Sequence, residues 1–294
     1  MRILSFLTLA AMVAVMAPSA QAGVFGSSLF TVSSMKVERS AGTQAGGPTG
    51  GFSVVGAGAI TLNVTGIDTL NEAEILGIPA VQIGGGPDPL QAFVTSGAEA
   101  AGGENDFTRR TPLPATSAFA RADQQTTGSL LDTVNGLTTR MVAEMEAADT
   151  SLGSAGAGST GFSTFAINVN QNGWYRLAFD ASIDMLVSSI GPPAMRTAFA
   201  TSNLSIQING LTVTLDDPGL VSNSISGNGA LTLTSTNVVT GSVFLRVQTA
   251  PHILTITQQT TAGVAAIPEP GSMLAFAGIV VAGGVSRLRR RRAV

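Results

Sequence analysis

The chain has 294 residues, a formal net charge of −3 and only 11% charged residues, against about 25% in a typical globular protein. It contains no cysteine and one histidine, which excludes disulfide bonds, a cysteine nucleophile and a zinc site with several nitrogen and sulfur ligands. Disordered chains combine low hydrophobicity with high charge, and this chain has neither, so we expect a folded body rich in uncharged polar strands.

Residues 1–22 have the three parts of a secretory signal peptide. Arg2 supplies a positive start, residues 3–17 an apolar segment, and Ala20-Gln21-Ala22 a small-residue cleavage site before Gly23. The apolar run is too short for a first transmembrane helix. The sequence therefore predicts export, with signal peptidase as a processing partner and Gly23 as the first residue of the mature chain.

Residues 23–264 form the predicted exported body, which is long enough for one large all-β domain or two small ones. Asp and Glu outnumber Lys and Arg in this body once Arg2 and the arginines of the C-terminal tail are set aside. Because an acidic body repels phosphate backbones, we expect no nucleic-acid partner.

Two patterns predict strands most clearly. From Tyr175 to Val187, apolar residues alternate with polar or small ones, which predicts a strand whose Tyr175 faces the core. Asn209-Gly210 separates two alternating runs, which predicts a hairpin turn with Ile208 opposite Leu211. The same register would pair Ile206 with Val213 and Leu204 with Leu215. Further strands are predicted at residues 60–64, 162–169, 194–200, 221–225, 231–235, 238–247 and 253–257. Short strands at this spacing predict a mainly β body, a β-sandwich or jelly roll.

Residues 97–161 interrupt this pattern and are predicted to be an excursion of loop, helix and linker. Residues 97–128 are polar and proline-marked, and residues 151–161 are rich in Gly, Ala and Ser. Between them, an amphipathic helix of about twenty residues is predicted to begin near Ser129 and Asp132, because apolar residues recur at three- and four-residue spacing. These residues are Leu130, Val134, Leu137, Met141 and Met145.

The body offers few residues for catalysis. Residues 156–161 spell G-x-G-x-x-G, but they do not follow a strand and open a helix as a dinucleotide-binding loop must, so a linker is the preferred interpretation. His252, the sole histidine, fits a solvated turn better than a Ser-His-Asp triad. We therefore predict no catalytic residue, no cofactor and no enzyme activity.

The acidic residues are likewise weak candidates for a site. Asp180 and Asp184 would share one strand face at about 13 Å, beyond the roughly 5–9.5 Å of glycosidase pairs, and are predicted to be solvated. A calcium site at Asp216-Asp217 or at Glu104-Asn105-Asp106 stays open, because calcium prefers oxygen ligands from loops, but no metal ligand is assigned. Trp174 would face outward and is the one candidate for stacking on a sugar ring.

The C-terminal tail, residues 267–292, has a distinct order of parts. Pro268, Glu269 and Pro270 precede residues 271–286, which carry no charge and would span about 24 Å as a helix. Alone this is a short span for a hydrocarbon core of roughly 30 Å. Five arginines follow and mark the cytoplasmic side of a membrane. They are Arg287, Arg289, Arg290, Arg291 and Arg292.

This tail resembles the PEP-CTERM sorting signal of bacterial exosortase substrates. The resemblance covers about a tenth of the chain: the Pro-Glu-Pro triplet, the membrane helix 271–286 and the arginine stop match, while Ile267 stands where valine is more usual. It implies an exosortase as processing partner, a membrane-anchored precursor, and a setting of exopolysaccharide or biofilm production. A plain C-terminal anchor shares this topology and differs only in keeping the tail.

From the two ends and the body together, we expect a non-catalytic exported protein of the cell surface or extracellular matrix in a Gram-negative-type bacterium. Extracellular polysaccharide is a candidate partner. Two alternatives stay open: a secreted carbohydrate-active hydrolase whose carboxylates converge in the fold, and a calcium- or sugar-binding adhesin.

Overall fold

In the computed structural model of the protein, every regular element of the described part is a β-strand. Among the described residues, no helix has the length and apolar character that a membrane crossing requires. The described residues are 23–40, 51–55, 58–75, 77–85, 90–96, 103–110, 118–147, 155–171, 173–190, 196–212, 222–228, 231–247 and 250–266.

Fourteen strands follow one another along the chain. They are β1 (Gly23–Ser40), β2 (Phe52–Val54), β3 (Ile60–Ile75), β4 (Ile78–Gly85), β5 (Ala92–Thr95), β6 (Phe119–Gly128), β7 (Leu137–Ala147), β8 (Ala155–Val169), β9 (Gly173–Ile190), β10 (Arg196–Ile208), β11 (Leu211–Thr212), β12 (Ser222–Asn228), β13 (Leu231–Val247) and β14 (Pro251–Ala266).

The strands form two seven-stranded antiparallel sheets that pack face to face. Sheet A has the order β13-β9-β1-β7-β6-β5, with β2 also paired to β1, and sheet B has the order β11-β10-β14-β8-β3-β4, with β12 also paired to β10. Strand β1 faces β10 and β14, β7 faces β14 and β8, and β6 faces β8 and β3. The prediction of a mainly β, sandwich-like body is thus confirmed.

The two strongest strand predictions are confirmed. In β9 every second side chain from Tyr175 to Val187 is buried, as the alternation requires. Ile208 pairs with Leu211 across Asn209-Gly210, and both turn residues have positive φ, +50° and +79°, as in a type I′ turn. Leu211 is 76% exposed. It belongs to the two-residue strand β11, which pairs with β10. Val213 and Leu215 lie outside the described residues.

The other predicted strands also occur, but most are longer than predicted. The segments that begin at residues 60, 162, 194, 221 and 253 fall within β3, β8, β10, β12 and β14, apart from residues 194, 195 and 221, which lie outside the described residues. The two segments predicted at 231–235 and 238–247 form one strand, β13.

The predicted amphipathic helix is wrong. Residues 137–147 form strand β7, in which Leu137, Met141 and Met145 point into the core. Residues four apart share a face of a strand as well as of a helix, so the spacing did not discriminate. Ser129 and Asp132, expected at a helix start, instead bond the backbone of the β6–β7 turn: Asp132 Oδ1 accepts from Val134 N at 2.8 Å, and Ser129 Oγ accepts from Leu131 N at 3.3 Å.

The loop and linker predicted around that helix are also partly wrong. Residues 119–128 of the predicted loop form β6, and residues 155–161 of the predicted linker begin β8. Glycine is tolerated inside β8 because neighbours fill the space that side chains would take. A Cβ at Gly161 would lie 2.3 Å from Gln124 Nε2, so the G-x-G-x-x-G segment is neither a linker nor a nucleotide loop.

The interior divides into two apolar clusters with polar bridges between them. One cluster holds large side chains such as Phe30, Met141 and Phe165, and the other is rich in alanine. Ser28 on sheet A bonds Ser202 and Thr260 on sheet B at 2.9 and 2.6 Å. The sheets approach closely at the alanine cluster, where a Cβ on Gly26 would lie 3.2 Å from Phe199 O.

Candidate functional site

Part of the outer face of sheet A is covered by residues 103–110, here called the strap. Beneath the strap lie side chains of β1, β6 and β7 that point away from the core yet are buried: Phe25, Ser27, Phe119, Arg121, Asp123, Val142, Glu144 and Glu146. A strand on an open surface would expose one face. The strap therefore creates a second, largely polar interior outside sheet A.

Arg121 and Glu144 form the centre of this buried region. Both side chains are 0% exposed, and Arg121 Nε and Nη2 each lie 2.8 Å from Glu144 Oε2. Arg121 Nη2 also donates to Thr108 O in the strap at 2.6 Å. The other carboxylate oxygen, Glu144 Oε1, accepts from Ser27 Oγ at 2.9 Å and from Arg110 N at 3.1 Å. The carboxylate is thus fully engaged by structural partners.

Asp123 is the second buried carboxylate under the strap. Burial raises its pKa from 3.8 to about 6, while the hydrogen bond from Asn105 N opposes the rise and the nearby Glu104 charge adds to it. Asn105 N donates to Asp123 Oδ2 at 2.7 Å, and Gln124 N donates to Oδ1 at 2.8 Å. Raised carboxyl pKa values occur in acid catalysts, but Asp123 is closed off from solvent and bonded to the strap.

Two arginines fasten the C-terminal end of the strap. Arg109 Nη2 lies 2.9 Å from Asp184 Oδ1, and Arg109 Nε donates to Ser27 Oγ at 3.2 Å. The Arg110 guanidinium lies 4.7 Å from the centre of the Phe119 ring, within cation–π range. Asp184, predicted to be a solvated charge, is therefore a strap anchor. Asp180, predicted alike, is exposed.

The outer face of sheet B differs in composition. Strands β8, β10, β11, β12 and β14 contain two ionisable residues in their sequences, Arg196 and His252, each near a strand end. The outward positions of the three long strands include the 53% exposed Ile253, Ala166 and glycines, but most carry hydroxyl or amide side chains in register. These hydroxyl and amide positions are Thr201, Asn203, Ser205 and Gln207 on β10, Thr255, Thr257, Gln259 and Thr261 on β14, and Thr160, Thr164 and Asn168 on β8.

Two aromatic rings stand on this uncharged face. Phe162 is 42% exposed and lies opposite Thr257, and Phe199 is 37% exposed and lies opposite Gly263. The Phe199 ring covers Gly263, since a Cβ there would lie 2.3 Å from Phe199 Cζ. The missing side chain thus lets an aromatic ring lie flat against the sheet.

Beside Phe199 the face sinks into an open depression of about 530 Å³. Its floor includes Gly156 and Gly158, and we call it the glycine-floored depression. Phe199 lies on one side, Pro79 and Val81 lie on the other, and Glu72 and Glu74 extend from β3 along the same rim. The arrangement combines apolar walls with two exposed carboxylates that accept hydrogen bonds.

The remaining sequence candidates for chemistry do not converge. Asp106 accepts from Thr108 N and Thr108 Oγ1 at 3.0 and 2.6 Å, and these bonds lower its pKa. Its carboxylate is thus used within the strap. Among the described residues, no group of three or more Asp, Glu or His could hold a metal ion. Asp216 and Asp217 lie outside them.

His252 and Trp174 have local structural roles. His252 is the second residue of β14 and pairs with Ile167, so its predicted turn position is wrong. Its Nδ1 lies 3.1 Å from Asn209 Nδ2 of the β10–β11 turn. Trp174 is half-buried in β9, and its Nε1 is buried without a hydrogen-bond partner among the described residues. Tyr175 is buried, as predicted, and donates its hydroxyl to Gln171 O at 2.7 Å. Because Trp174 is half-buried, its ring offers a sugar less exposed area than an open stacking platform would.

Most of the predicted sorting residues lie outside the described residues. These are Ala20, Ala22, Pro268, Glu269, Pro270, the helix 271–286 and the arginines from Arg287 to Arg292. Gly23, the predicted mature N terminus, is the first residue of β1 and pairs with Ile190.

Sequence reasoning missed the buried ion pair and the glycine-floored depression. Charges recur at two-residue spacing in Arg121 and Asp123, and again in Glu144 and Glu146, which is a signal of strands with one charged face.

Family models, curated proteins and solved structures were compared with the chain, and none matches it significantly.

Proposed function

We propose that this chain is a non-catalytic exported protein of the bacterial cell surface or extracellular matrix, linked to exopolysaccharide. It is held in the membrane by residues 271–286 and processed by an exosortase at Pro268-Glu269-Pro270. The observation that carries the proposal is the pair of end signals: a secretory leader at residues 1–22 and the Pro-Glu-Pro, apolar and arginine tail.

The strand boundaries support this proposal. Strand β1 begins at Gly23, the residue after the expected signal-peptidase site, and β14 ends at Ala266, two residues before Pro268. Cleavage at either site would therefore remove no strand from the two sheets. A processing site inside a paired strand would instead have to break ladder hydrogen bonds.

The buried carboxylates favour a non-catalytic body over a hydrolase. A glycosidase needs two carboxyl groups that reach the scissile bond from either side. Glu144 is engaged by Arg121, Ser27 and Arg110, and Asp123 lies under the strap. The exposed Glu72 and Glu74 lie two residues apart on β3, about 6.6 Å along the strand, but both extend from one rim of the depression and would approach a sugar from the same side.

The test is the intact mass of the protein recovered from membrane and extracellular fractions of its native host. A species that begins at Gly23 and ends near Pro268–Pro270 is expected. Replacing Pro268, Glu269 and Pro270 with alanine should abolish this species, whereas the control Ser272→Ala, within the predicted membrane helix, should leave it unchanged. A species that runs from Gly23 to Val294 and occurs only in membrane would replace the proposal with a plain anchor.

A further inference from the structure

We propose that the outer face of sheet B binds a neutral polysaccharide, with the glycine-floored depression as the centre of the site. The inference rests on the proposed surface function and deepens it, because that function assigns no binding site or ligand charge to the body. The exposed side chains of sheet B determine which hydrogen bonds, apolar contacts and charge interactions a ligand would make there.

The first argument is the chemistry of the three long strands. Hydroxyl and amide groups can both donate and accept hydrogen bonds, as the hydroxyl groups of a sugar do. Outward residues repeat about every 6.6 Å along a strand and about every 4.8 Å between strands. Such a grid offers an extended polymer many equivalent partners, and a neutral polymer buries no charge when it docks on it.

The second argument is the pair of exposed rings. A sugar ring presents an apolar C–H face, which packs against an aromatic ring with little loss of hydration. Phe162 and Phe199 are the phenylalanines exposed above one third within the described part of the chain. They belong to β8 and β10, which lie on either side of β14, and both point outward. A chain of sugars could therefore cross the face diagonally between them.

The third argument is the depression itself. Its volume of about 530 Å³ falls within the roughly 300–1,000 Å³ of small-ligand sites. Its apolar walls suit the C–H faces of a sugar, and the exposed carboxylates of Glu72 and Glu74 can accept hydrogen bonds from sugar hydroxyls. The floor stays open because Gly156 and Gly158 have no side chains.

Charge selects the neutral polymer over an anionic one. Asp68, Glu72 and Glu74 are exposed on the β3 side of the face and would repel uronate or sulfate groups. The exposed Val81, Ile83 and Ile253 of sheet B would also suit a protein partner, but the hydroxyl and amide rows of β10 and β14 interrupt the apolar centre that a protein interface requires. A second copy of the chain is thus an outcome of the test, not its expectation.

The experiment uses the full-length chain purified in a zwitterionic detergent, because glycosidic detergents would compete for the site. Native gels containing dextran, galactomannan or a soluble glucan as neutral probes, alginate as an anionic probe, and chitosan as a cationic probe measure binding by retardation. We expect at least one neutral probe to retard the protein, and alginate to have no effect through this face.

Variants locate the site. Phe199→Ala removes a wall, and Gly158→Leu fills the depression with little strain, since a Cβ there meets no atom closer than 3.5 Å. Phe199→Ala should weaken retention by a neutral probe about tenfold, the effect of losing one stacking contact of the strength known for nucleic-acid bases. Gly158→Leu should weaken it at least as much by blocking the floor. The control Val134→Ala truncates a 76% exposed side chain on the β6–β7 turn and should leave retention unchanged. Phe162→Ala replaces Gly158→Leu if the latter fails to fold.

Three results would overturn the inference: no retardation by any neutral probe, retardation by alginate or chitosan alone, or wild-type retention by both site variants. Self-association in sedimentation, without polymer binding, would assign the face to a second copy instead. Because the arginines of the tail can bind alginate by themselves, alginate retardation counts against the site only where Phe199→Ala or Gly158→Leu reduces it. Failure of the neutral probes would leave the proposed processing intact. Conversely, a retained tail would leave the binding site intact.

Discussion

The outer faces of the two sheets have the same pleated geometry but differ in burial: part of the face of sheet A is covered, and the face of sheet B reaches solvent. On sheet A the outward side chains of β1, β6 and β7 carry charges and are buried under the strap. On sheet B the outward side chains of β8, β10 and β14 are uncharged, and many stay in contact with solvent. The protein thus buries one group of charges under the strap, whereas the three long strands of sheet B display uncharged side chains.

This contrast follows from what each face must bind. Arg121, Glu144 and Asp123 need partners once water is removed, and the strap supplies them through the backbone of Thr108, Arg110 and Asn105. The hydroxyls and amides of sheet B need no covering element, because they can exchange bonds with water or with a ligand. The buried charges therefore hold the strap against sheet A. The uncharged side chains of sheet B require no such covering segment.

The largest test of this contrast is Arg121→Met. Removing the guanidinium leaves Glu144 as a buried charge without its main partner, which should lower the free energy of unfolding by about 3–5 kcal/mol. The matched control Arg140→Met alters an exposed residue of β7 and should change it by less than about 0.5 kcal/mol. Urea titration of both variants measures the difference. Equal effects would mean that the strap does not exclude water.

A second test uses the pKa of Asp123. Its folded value, about 6, lies above the ordinary 3.8, so its contribution to stability is fully present below about pH 3.8 and is lost as the pH rises through about 6. The loss should be on the order of 2 kcal/mol. Unfolding free energies measured from pH 4 to pH 7.5 should therefore fall in the wild type relative to Asp123→Asn. Parallel curves would show that Asp123 is solvated beneath the strap.

The smallest expected effect is on sheet B. Thr257→Lys places a charge at an outward position of β14, where the side chain can reach solvent, so the free energy of unfolding should change by less than about 0.5 kcal/mol. Thermal unfolding of the variant and of Thr257→Ser gives the comparison. A loss above about 1.5 kcal/mol for lysine alone would mean that another part of the chain covers this face.

Sequence reasoning succeeded where one period dominates the pattern. Strand β9 alternates without interruption from Tyr175 to Val187, and Asn209-Gly210 has the residues that a type I′ turn requires. In these places the local chemistry and the sheet demand the same structure. The sandwich-like architecture could therefore be predicted, although the strand order could not.

It failed where a local pattern has two solutions. Leu137, Met141 and Met145 fit a helix and a strand equally well, and only pairing with β1 and β6 decides for the strand. The glycines of β8 indicate a linker by composition, yet Gln124 and Thr261 from neighbouring strands lie against them. The burial of Arg121 depends on the strap, which lies 13 residues away at Thr108, so no local pattern could reveal it.

The position of β1 within sheet A determines when that sheet can assemble. Strand β1 is among the first residues to emerge but lies in the middle of sheet A, between β7 and β9, where Met35 pairs with Leu137 and Gly23 pairs with Ile190. These partners are separated by long stretches of chain, and such distant pairings slow folding. Sheet A cannot close until well over half of the chain has been delivered. Sheet A therefore assembles late. A chain that passes N terminus first through a narrow channel would stay unpaired at β1 for most of its passage.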